Sequence, residues 1–302
     1  MAERVLFYNQ INKNKRNSIF LVIIVLAILV LIGYVIGMAL GPDYFTIVMI
    51  LAIIISLIYV WVGYYYSDKI ALASVKAKLA DRTQYHSLYN AVESMSLASG
   101  LPMPKVYIMQ DQQINAFATG RDPKNAVICV TTGAVEKLDK SELEGVIAHE
   151  MGHVANFDIR FMTLVTVLVG MIAIISEIFL RSLWFTNIGG NRDSKDGRMQ
   201  IIFILIGVAL AILAPIVTKL VQLAISRKRE YTADATAVKF TRRPTGLINA
   251  LKKIKNDQPM KSHRVSKSVA PLFLSDPFKR KVQNAFSTHP PIEKRIAVLE
   301  KM

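Results

Sequence analysis

Four long apolar runs constrain the fold of this chain more than any other feature of its sequence. A helix that crosses a bilayer needs about 20 largely apolar residues, and a soluble core helix rarely sustains such a run. The hydrophobic content of 52% and the mean hydropathy of +0.35 are also high for a soluble protein. We therefore predict a mainly α integral membrane protein with four transmembrane helices. The runs cover residues 18–40, 45–66, 161–183 and 200–225.

The spacing of these runs divides the chain into five segments. Only residues 41–44 separate the first two runs, which predicts a helical hairpin, and the last two runs form a second hairpin. With four spans, the three segments outside the hairpins share one side of the membrane. The segments are an N-terminal tail (1–17), a transmembrane hairpin (18–66), a first soluble part (67–160), a second transmembrane hairpin (161–225) and a second soluble part (226–302).

Basic residues are distributed unevenly around the runs. Residues 226–302 hold 18 Lys and Arg against 6 Asp and Glu, whereas the connection between the first two runs has no basic residue. Because basic segments stay in the cytoplasm, we predict a multi-pass protein of the cell membrane with both termini and both soluble parts cytoplasmic. The net charge of +15 then indicates an anionic lipid surface as the partner, and not nucleic acid.

The soluble parts have the patterns of a small α+β domain. Residues 69–98 have helical spacing, and a second helix is predicted to begin near Ser141. There Ser141 and Glu144 match a capping box, in which each side chain binds the backbone amide of the other residue. Short strands are predicted at residues 105–109, 114–118 and 126–131.

The second predicted helix carries the sequence His149-Glu150-Met151-Gly152-His153. Residues four apart share a helix face, so both imidazoles can bind one metal ion. The adjacent Glu150 can reach a metal-bound water rather than the metal. Zinc favours nitrogen ligands, and a catalytic site keeps one coordination position open. The pattern therefore predicts a site for one Zn²⁺ per chain.

A third ligand is required, and Glu230 is the better candidate. It lies just after the fourth run, whereas the histidine pair lies just before the third, and a hairpin brings both to the same membrane face. Asp234 follows four residues later on the same helical face, where it could accept a hydrogen bond from a ligand imidazole and fix its tautomer. The other candidates for the third ligand are His86, His263 and His289.

These motifs resemble those of the HtpX membrane metalloproteases, bacterial relatives of the CaaX prenyl proteases. The resemblance is carried by the HExxH motif at 149–153, the ExxxD motif at 230–234 and the four apolar runs, together with residues 115–120 and 287–291. It implies a zincin-like domain of the gluzincin type and a zinc metalloendopeptidase that faces the cytoplasm. It also implies a stress-linked role in the quality control of membrane proteins.

The resemblance implies roles for individual residues as well. His149, His153 and Glu230 would be the zinc ligands, and Glu150 would be the catalytic residue. Zinc acidifies its bound water and polarises the scissile carbonyl, while the glutamate takes the proton and later delivers it to the leaving amine.

Two elements are candidates for binding an extended substrate. The strand that begins at Asn115 could pair with a polypeptide by β-augmentation, and its alternative role is core packing. His289 is a candidate for stabilising the oxyanion, although the following prolines equally indicate a structural turn. Tyr231 is the weaker alternative for that role. Polypeptides, above all membrane proteins, are therefore the expected substrates.

Two other functions remain open at the level of sequence. One is a processing protease for a specific or prenylated substrate, and the other is a membrane scaffold or transporter with a structural zinc site. Structural zinc sites are usually closed by four ligands and rich in cysteine, whereas Cys129 is the only cysteine here. Glu177 and Lys219, within the third and fourth runs, either face a protein interior or lie near the interface. The oligomeric state is not determined by the sequence.

Overall fold

A computed structural model describes residues 7–168, 227–257, 269–275, 277 and 290–302. The first two apolar runs lie within this part of the chain. Of the third run only residues 161–168 are described, and the fourth run lies outside the described residues. Glu177, Lys219, His263 and His289 also lie outside them.

Two long helices form the first predicted hairpin. Helix α1 spans Phe7–Leu40 and helix α2 spans Pro42–Tyr65. Gly41 joins them with a φ of 98°, a conformation that glycine adopts more readily than any other residue. Helix α2 begins with a proline at its first position and has Asp43 in its first turn, and both choices favour a helix start there.

Both helices contain a segment that is long and apolar enough to cross a membrane. The segments are Asn14–Met38 and Pro42–Tyr65, with hydropathies of 3.4 and 2.8. Large apolar side chains such as Ile55 and Leu31 are exposed along them, as lipid-facing side chains are. Length and composition support this assignment, and we call α1 and α2 the candidate spans. Among the described residues, these two helices meet that description.

Helix α1 begins well before the apolar run. Residues 7–17, part of the predicted N-terminal tail, are helical and continuous with the span. Asn14 on this extension is buried, as is Ser18 at the start of the apolar run. Tertiary contacts explain the burial of Asn14, because its side chain donates hydrogen bonds to the Asn156 carbonyl and to the Asp158 carboxylate.

A four-stranded sheet forms the β part of the soluble fold. Its order is β1-β2-β4-β3, with β2 parallel to β4 and the other two pairs antiparallel. The three predicted strands are confirmed to within two residues at each end, and β1 was not predicted. The strands are β1 Lys78–Leu79, β2 Lys105–Met109, β3 Ala116–Thr119 and β4 Val127–Thr131.

Seven shorter helices accompany the sheet in the described part of the chain, and residues 158–168 are helical as well. These helices are α3 Ser67–Ser74, α4 His86–Ser99, α5 Thr132–Lys137, α6 Lys140–Ala155, α7 Arg227–Thr241, α8 Thr245–Asn256 and α9 Ile292–Leu299.

The prediction of one helix over residues 69–98 is wrong. The chain leaves α3 at Ser74, turns at Lys76 with a φ of 54°, and enters β1 before α4 begins. The pairing of β1 with β2 interrupts the predicted helix. This pairing continues one residue beyond β1, where the Ala80 N–H donates a hydrogen bond to the Val106 carbonyl at 3.0 Å. Two apolar-patterned helices close together in sequence produce the same periodicity as one long helix.

The capping box of α6 lies two residues earlier than predicted. The Asp139 carboxylate accepts a hydrogen bond from the Glu142 N–H at 2.9 Å, and the Glu142 carboxylate accepts one from the Asp139 N–H at 2.8 Å. The prediction of Ser141 and Glu144 as the box is wrong, because both residues lie inside the first turns of the helix.

Helix α6 is central to the soluble fold. It packs against β3, α4, α7 and α8, and all but four of its sixteen residues are buried. Gly145 allows α8 to approach closely, because a Cβ atom at this position would lie 2.5 Å from the Leu247 backbone nitrogen. The helix that carries the HExxH motif is therefore held from several sides.

Candidate metal centre

The last two turns of α6 bring two histidines together. His149 and His153 lie one turn apart, their ring centroids are 4.8 Å apart, and both residues are buried. Their Nε2 atoms are separated by 3.2 Å. Two nitrogen donors of neighbouring rings therefore converge on one point inside the protein.

Helix α7 adds a carboxylate to this point. Glu230 Oε2 lies 3.6 Å from His149 Nε2, and Glu230 Oε1 lies 3.6 Å from His153 Nε2. Gly152 permits this approach of α7, because a Cβ atom there would lie 3.1 Å from the Ala233 carbonyl oxygen. The glycine between the two histidines thus helps to admit the third side chain.

The three side chains fit a zinc ion. Zinc binds histidine nitrogen at about 2.0–2.1 Å in tetrahedral geometry, which places neighbouring ligand atoms about 3.3 Å apart. The 3.2 Å between the two Nε2 atoms agrees with that spacing, and each Nε2 lies 3.6 Å from a different oxygen of Glu230. With one ligand atom taken from each residue, the three atoms lie within 4.8 Å of one another. Within the described ranges, no fourth His, Cys, Asp or Glu belongs to the group. Three ligands leave one coordination position open, as in catalytic zinc sites.

Each imidazole also has a carboxylate on its far side. Asp234 Oδ1 lies 2.9 Å from His149 Nδ1, and Asp158 Oδ2 lies 3.2 Å from His153 Nδ1. A carboxylate only accepts hydrogen bonds, so each of these contacts favours a proton on Nδ1, which leaves Nε2 as the atom that can bind a metal ion. Arg295 Nη2 also lies 3.2 Å from His149 Nδ1, but the Asp234 contact is the shorter of the two. Asp234 thus lies where the sequence predicted an outer partner for a ligand.

Charge and burial shift the pKa values of the two histidines in opposite directions. Burial and the nearby guanidinium of Arg295 lower the pKa of His149. Burial would also lower the pKa of His153, but the hydrogen bond to Asp158 and the charge of Glu230 raise it to about 9. Without a metal ion, His153 is therefore the histidine that holds an additional proton.

A buried arginine, Arg295, supplies a positive charge beside the carboxylates of Asp234 and Glu230. Arg295 on α9 binds Asp234 with two nitrogens, Nη2 to Oδ1 at 2.6 Å and Nε to Oδ2 at 2.9 Å. Its Nη1 lies 3.4 Å from Glu230 Oε2. Burial would raise the pKa of Asp234, but Arg295 and His149 hold it well below its usual range. The guanidinium therefore keeps Asp234 ionised as the partner of the imidazole.

Glu150 lies beside the donors and is in a different environment from them. Both of its carboxylate oxygens are buried and have no hydrogen-bond partner among the described residues. Burial, together with the charge of Glu230, raises the pKa of Glu150 to about 7, against the opposing effect of His153. The Ala118 N–H lies close enough to lower this pKa, without the geometry of a hydrogen bond. A carboxyl group with a pKa near neutrality suits proton transfer.

The structure describes three of the remaining candidate residues, Asn115, Tyr231 and His86. The Asn115 side chain is engaged with Ser275, donating from Nδ2 to the Ser275 carbonyl at 3.0 Å and accepting at Oδ1 from its N–H at 3.3 Å. Tyr231 is half-buried on α7. His289 lies outside the described residues, and His86 is at the start of α4.

Sequence reasoning missed Asp158 and Arg295. Asp158 follows the HExxH motif in a stretch with no periodic pattern, so no signal pointed to it. Arg295 had a signal, because Ile292, Ile296 and Leu299 share one face of α9 with it. A cation among apolar residues on the buried face of an amphipathic helix indicates an acidic partner inside the fold.

Comparisons with known proteins identify the family of the chain. The model of peptidase family M48 matches residues 82–302. A protease HtpX homolog of Caldanaerobacter subterraneus subsp. tengcongensis is 46% identical over 303 residues, covering 100% of this chain and 99% of that protein. A protease HtpX homolog of Streptococcus pyogenes serotype M28 is 40% identical over 300 residues, covering 98% and 100%. The crystal structure of S. mikatae Ste24p is 20% identical with a TM-score of 0.42, and the match covers 83% of this chain and 64% of Ste24p.

Proposed function

Because this chain belongs to peptidase family M48, among its HtpX proteases, we propose that it is an integral-membrane, zinc-dependent endopeptidase. In this proposal it hydrolyses peptide bonds of misfolded or damaged membrane proteins at the cytoplasmic face of the cell membrane. The convergence of His149, His153 and Glu230 beside the unbonded carboxylate of Glu150 is the observation that carries the proposal.

The side chains of the chain itself account for the proton transfers. A zinc ion held by the three donors would polarise the scissile carbonyl and acidify a water molecule. Glu150 takes a proton from the attacking water at its carboxylate and gives it to the leaving amine. Its raised pKa, about 7, suits both transfers. Asp234 and Asp158 keep the two imidazoles in the tautomer that turns Nε2 toward the metal position.

The edge of the sheet supports an extended polypeptide as the substrate. Strand β3 lies at one end of the strand order, next to α6. The Ala116 carbonyl already accepts a hydrogen bond from the Leu274 N–H at 2.8 Å. A substrate strand would therefore add to the part of β3 near Ala118, beside Glu150, and this pairing would hold its backbone straight for cleavage.

The position of the site supports membrane proteins as substrates. Residues 158–168 follow α6 directly, and Phe161, Leu164 and Leu168 pack against Leu21 and neighbouring side chains of α1. The metal centre is therefore only a few residues from the surface that contacts a candidate span. An unfolded segment that emerges from the bilayer would reach this site before it reached the bulk cytoplasm.

Cleavage of an unfolded model protein in detergent tests the proposal. Wild type and Glu150→Gln are purified as full chains, and casein cleavage and bound zinc are measured for both. We expect one zinc per chain in each protein and cleavage only by wild type. Glu144→Gln, on the same helix and half-buried, is the matched control and should cleave like wild type.

The results separate the alternatives. Zinc without cleavage in wild type would contradict a broad endopeptidase and favour a structural site or a narrow substrate range. Persistent cleavage by Glu150→Gln would remove Glu150 from the reaction. The substrate class is tested in vesicles, where a destabilised membrane protein should be cleaved faster than its stable parent. Preferential cleavage of a prenylated peptide would favour a processing protease instead.

A further inference from the structure

One buried asparagine joins the first candidate span to the metal centre. Asn14 lies on the extension of α1 that precedes the apolar run, and its side chain is 1% exposed. Its Nδ2 donates to Asp158 Oδ1 at 2.6 Å and to the Asn156 carbonyl at 3.0 Å. The sequence separation of these contacts exceeds 140 residues, so only the tertiary fold creates them.

Asp158 is where this extension and the metal centre meet. Its Oδ2 lies 3.2 Å from His153 Nδ1, and its Oδ1 binds Asn14 and lies 3.5 Å from Arg229 Nε. Asp158 is fully buried, and Arg229 directly precedes the ligand Glu230. One carboxylate therefore contacts a ligand histidine, the helix of the third ligand and the first candidate span.

The two carboxylate oxygens of Asp158 contact different side chains. A buried carboxylate needs hydrogen bonds at both oxygens, because an unsatisfied charge inside a protein is costly. Asn14 and Arg229 satisfy Oδ1, which leaves Oδ2 turned toward His153. Removal of the Asn14 amide would take away the shorter of the two contacts at Oδ1 and leave Arg229 at 3.5 Å, so the carboxylate would hold the imidazole less firmly.

The surrounding contacts hold Asn14 in place. Lys15 lies 4.6 Å from the centre of the Phe157 ring, and Ser18 Oγ donates to the Asn14 carbonyl at 2.9 Å. Phe157 has a φ of 57°, an uncommon conformation for a residue other than glycine. This conformation of the turn after α6 places residues 156–158 in contact with α1.

We propose that Asp158 is a positioning residue for the metal ligand His153, and that Asn14 makes α1 a structural part of the metal centre. The inference rests on the proposed function, because it takes His153 as a zinc ligand. Asn14 lies outside residues 82–302, the region that matches the family model. The N-terminal extension is therefore more than a tail that precedes a membrane anchor.

Zinc affinity of the full chain in detergent tests this inference, by competition with a chromophoric chelator. Asp158→Ala should weaken zinc binding on the order of 10–100-fold, the usual loss when an outer partner of a ligand histidine is removed. Asp158→Asn keeps an acceptor oxygen and should recover part of that loss. Asn14→Ala should weaken binding by a smaller factor, whereas Asn12→Ala, on the same helix and exposed, should not.

A double substitution separates positioning from general destabilisation. In this proposal Asn14 affects zinc affinity only through Asp158. Adding Asn14→Ala to Asp158→Ala should therefore cause no further loss of zinc affinity. Cobalt(II) provides a second measurement, since its visible spectrum should change in Asp158→Ala and Asn14→Ala but not in Asn12→Ala. Thermal melting and gel filtration of each variant establish that it is folded.

The outcomes distinguish this inference from the proposed function. Wild-type zinc affinity and cobalt spectra in folded Asn14→Ala would overturn the role of α1 while leaving the protease proposal intact. Additive losses in the double variant would also overturn it. A wild-type chain that binds no zinc would overturn both, because His153 would then be no ligand.

Discussion

Glu230 is the residue at which metal binding is most easily tested. It comes from a helix distant in sequence from the two histidines, and each of its two oxygens lies 3.6 Å from the Nε2 atom of one histidine. Glu230→Ala should weaken zinc binding by more than the 10–100-fold typical of outer partners. Metal content after dialysis against a chelator is the measurement. Glu293→Ala, at an exposed position, is the control, and equal zinc in both variants would exclude Glu230 as a ligand.

Arg295 should be important for stability, because it is a buried cation whose shortest ion pair is with the buried carboxylate of Asp234. Arg295→Met leaves the Asp234 carboxylate buried without its counter-ion, and breaking such pairs costs about 3–5 kcal/mol. The free energy of unfolding of the metal-free protein in detergent should fall by about that amount. Replacing both residues, Arg295→Met with Asp234→Leu, should recover much of the loss.

An exposed ion pair offers the contrast. Arg82 and Glu93 are 3.2 Å apart with side chains 67% and 51% exposed. Arg82→Met should therefore lower the free energy of unfolding by at most about 1 kcal/mol. Equal losses for Arg82→Met and Arg295→Met would contradict the assignment of Arg295 to a buried charge balance.

The raised pKa of His153 predicts that zinc binding releases a proton. The metal-free site holds a proton on His153 below about pH 9, whereas a zinc-bound imidazole must be neutral at Nε2. Apparent zinc affinity should therefore rise with pH, about tenfold per unit, and level off near pH 9. Calorimetry in buffers of different ionisation enthalpy counts the protons at pH 7.

The same titration identifies the source of the proton. Glu150 also has a raised pKa, about 7, and lies beside the donors. If His153 is the source, Glu150→Gln should leave the number of released protons at pH 7 close to that of wild type. Loss of the proton release in this variant would assign the proton to Glu150.

At the scale of elements, two glycines of α6 should have separable effects. Gly145 faces the backbone of α8, where an added Cβ atom would lie 2.5 Å from Leu247 N, whereas Gly152 faces α7 at 3.1 Å from the Ala233 carbonyl. Gly145→Ala should lower the free energy of unfolding by about 1–3 kcal/mol, as overpacking does. Gly152→Ala should shift α7 and weaken zinc binding.

Zinc affinity and stability together test this separation. Helix α8 carries none of the three donors, so the zinc affinity of folded Gly145→Ala should stay near that of wild type. Glu144→Ala, half-buried on the same helix, controls for a new alanine in α6. A larger loss of zinc affinity in Gly145→Ala than in Gly152→Ala would contradict the role of Gly152 in admitting Glu230.

At the scale of the whole molecule, the orientation in the membrane can be tested with single cysteines. Cys129 is buried and should not react in the folded protein. Asn12 and Tyr44 are exposed and lie beyond opposite ends of the apolar segment Asn14–Met38. With a cytoplasmic N-terminus, a membrane-impermeant maleimide added to intact cells should label Tyr44→Cys and not Asn12→Cys. The reverse pattern would contradict the orientation predicted from the basic residues.

The sequence could predict what depends on local spacing. Apolar runs of sufficient length indicated α1 and α2, because a bilayer sets the length of a helix that crosses it. The four-residue spacing of His149 and His153 placed both on one helix face. Strands β2 and β4 were recognisable from short apolar segments bounded by turns. The single helix over residues 69–98 failed because β1 exists only through its pairing with β2.

The sequence by itself thus determined the candidate spans and the helix with the histidine pair, and it favoured Glu230 as the candidate for the third ligand. Only the tertiary structure decided which charges surround them. Asp158 and Arg295 reach the histidines from a turn and from the last helix, and Asn14 reaches Asp158 from α1. Hydrophobic periodicity predicts which face of a helix or strand is buried, but it does not identify the residues that pack against that face. The partners of a buried charge depend on contacts between residues far apart in the chain, which form only when the helices pack.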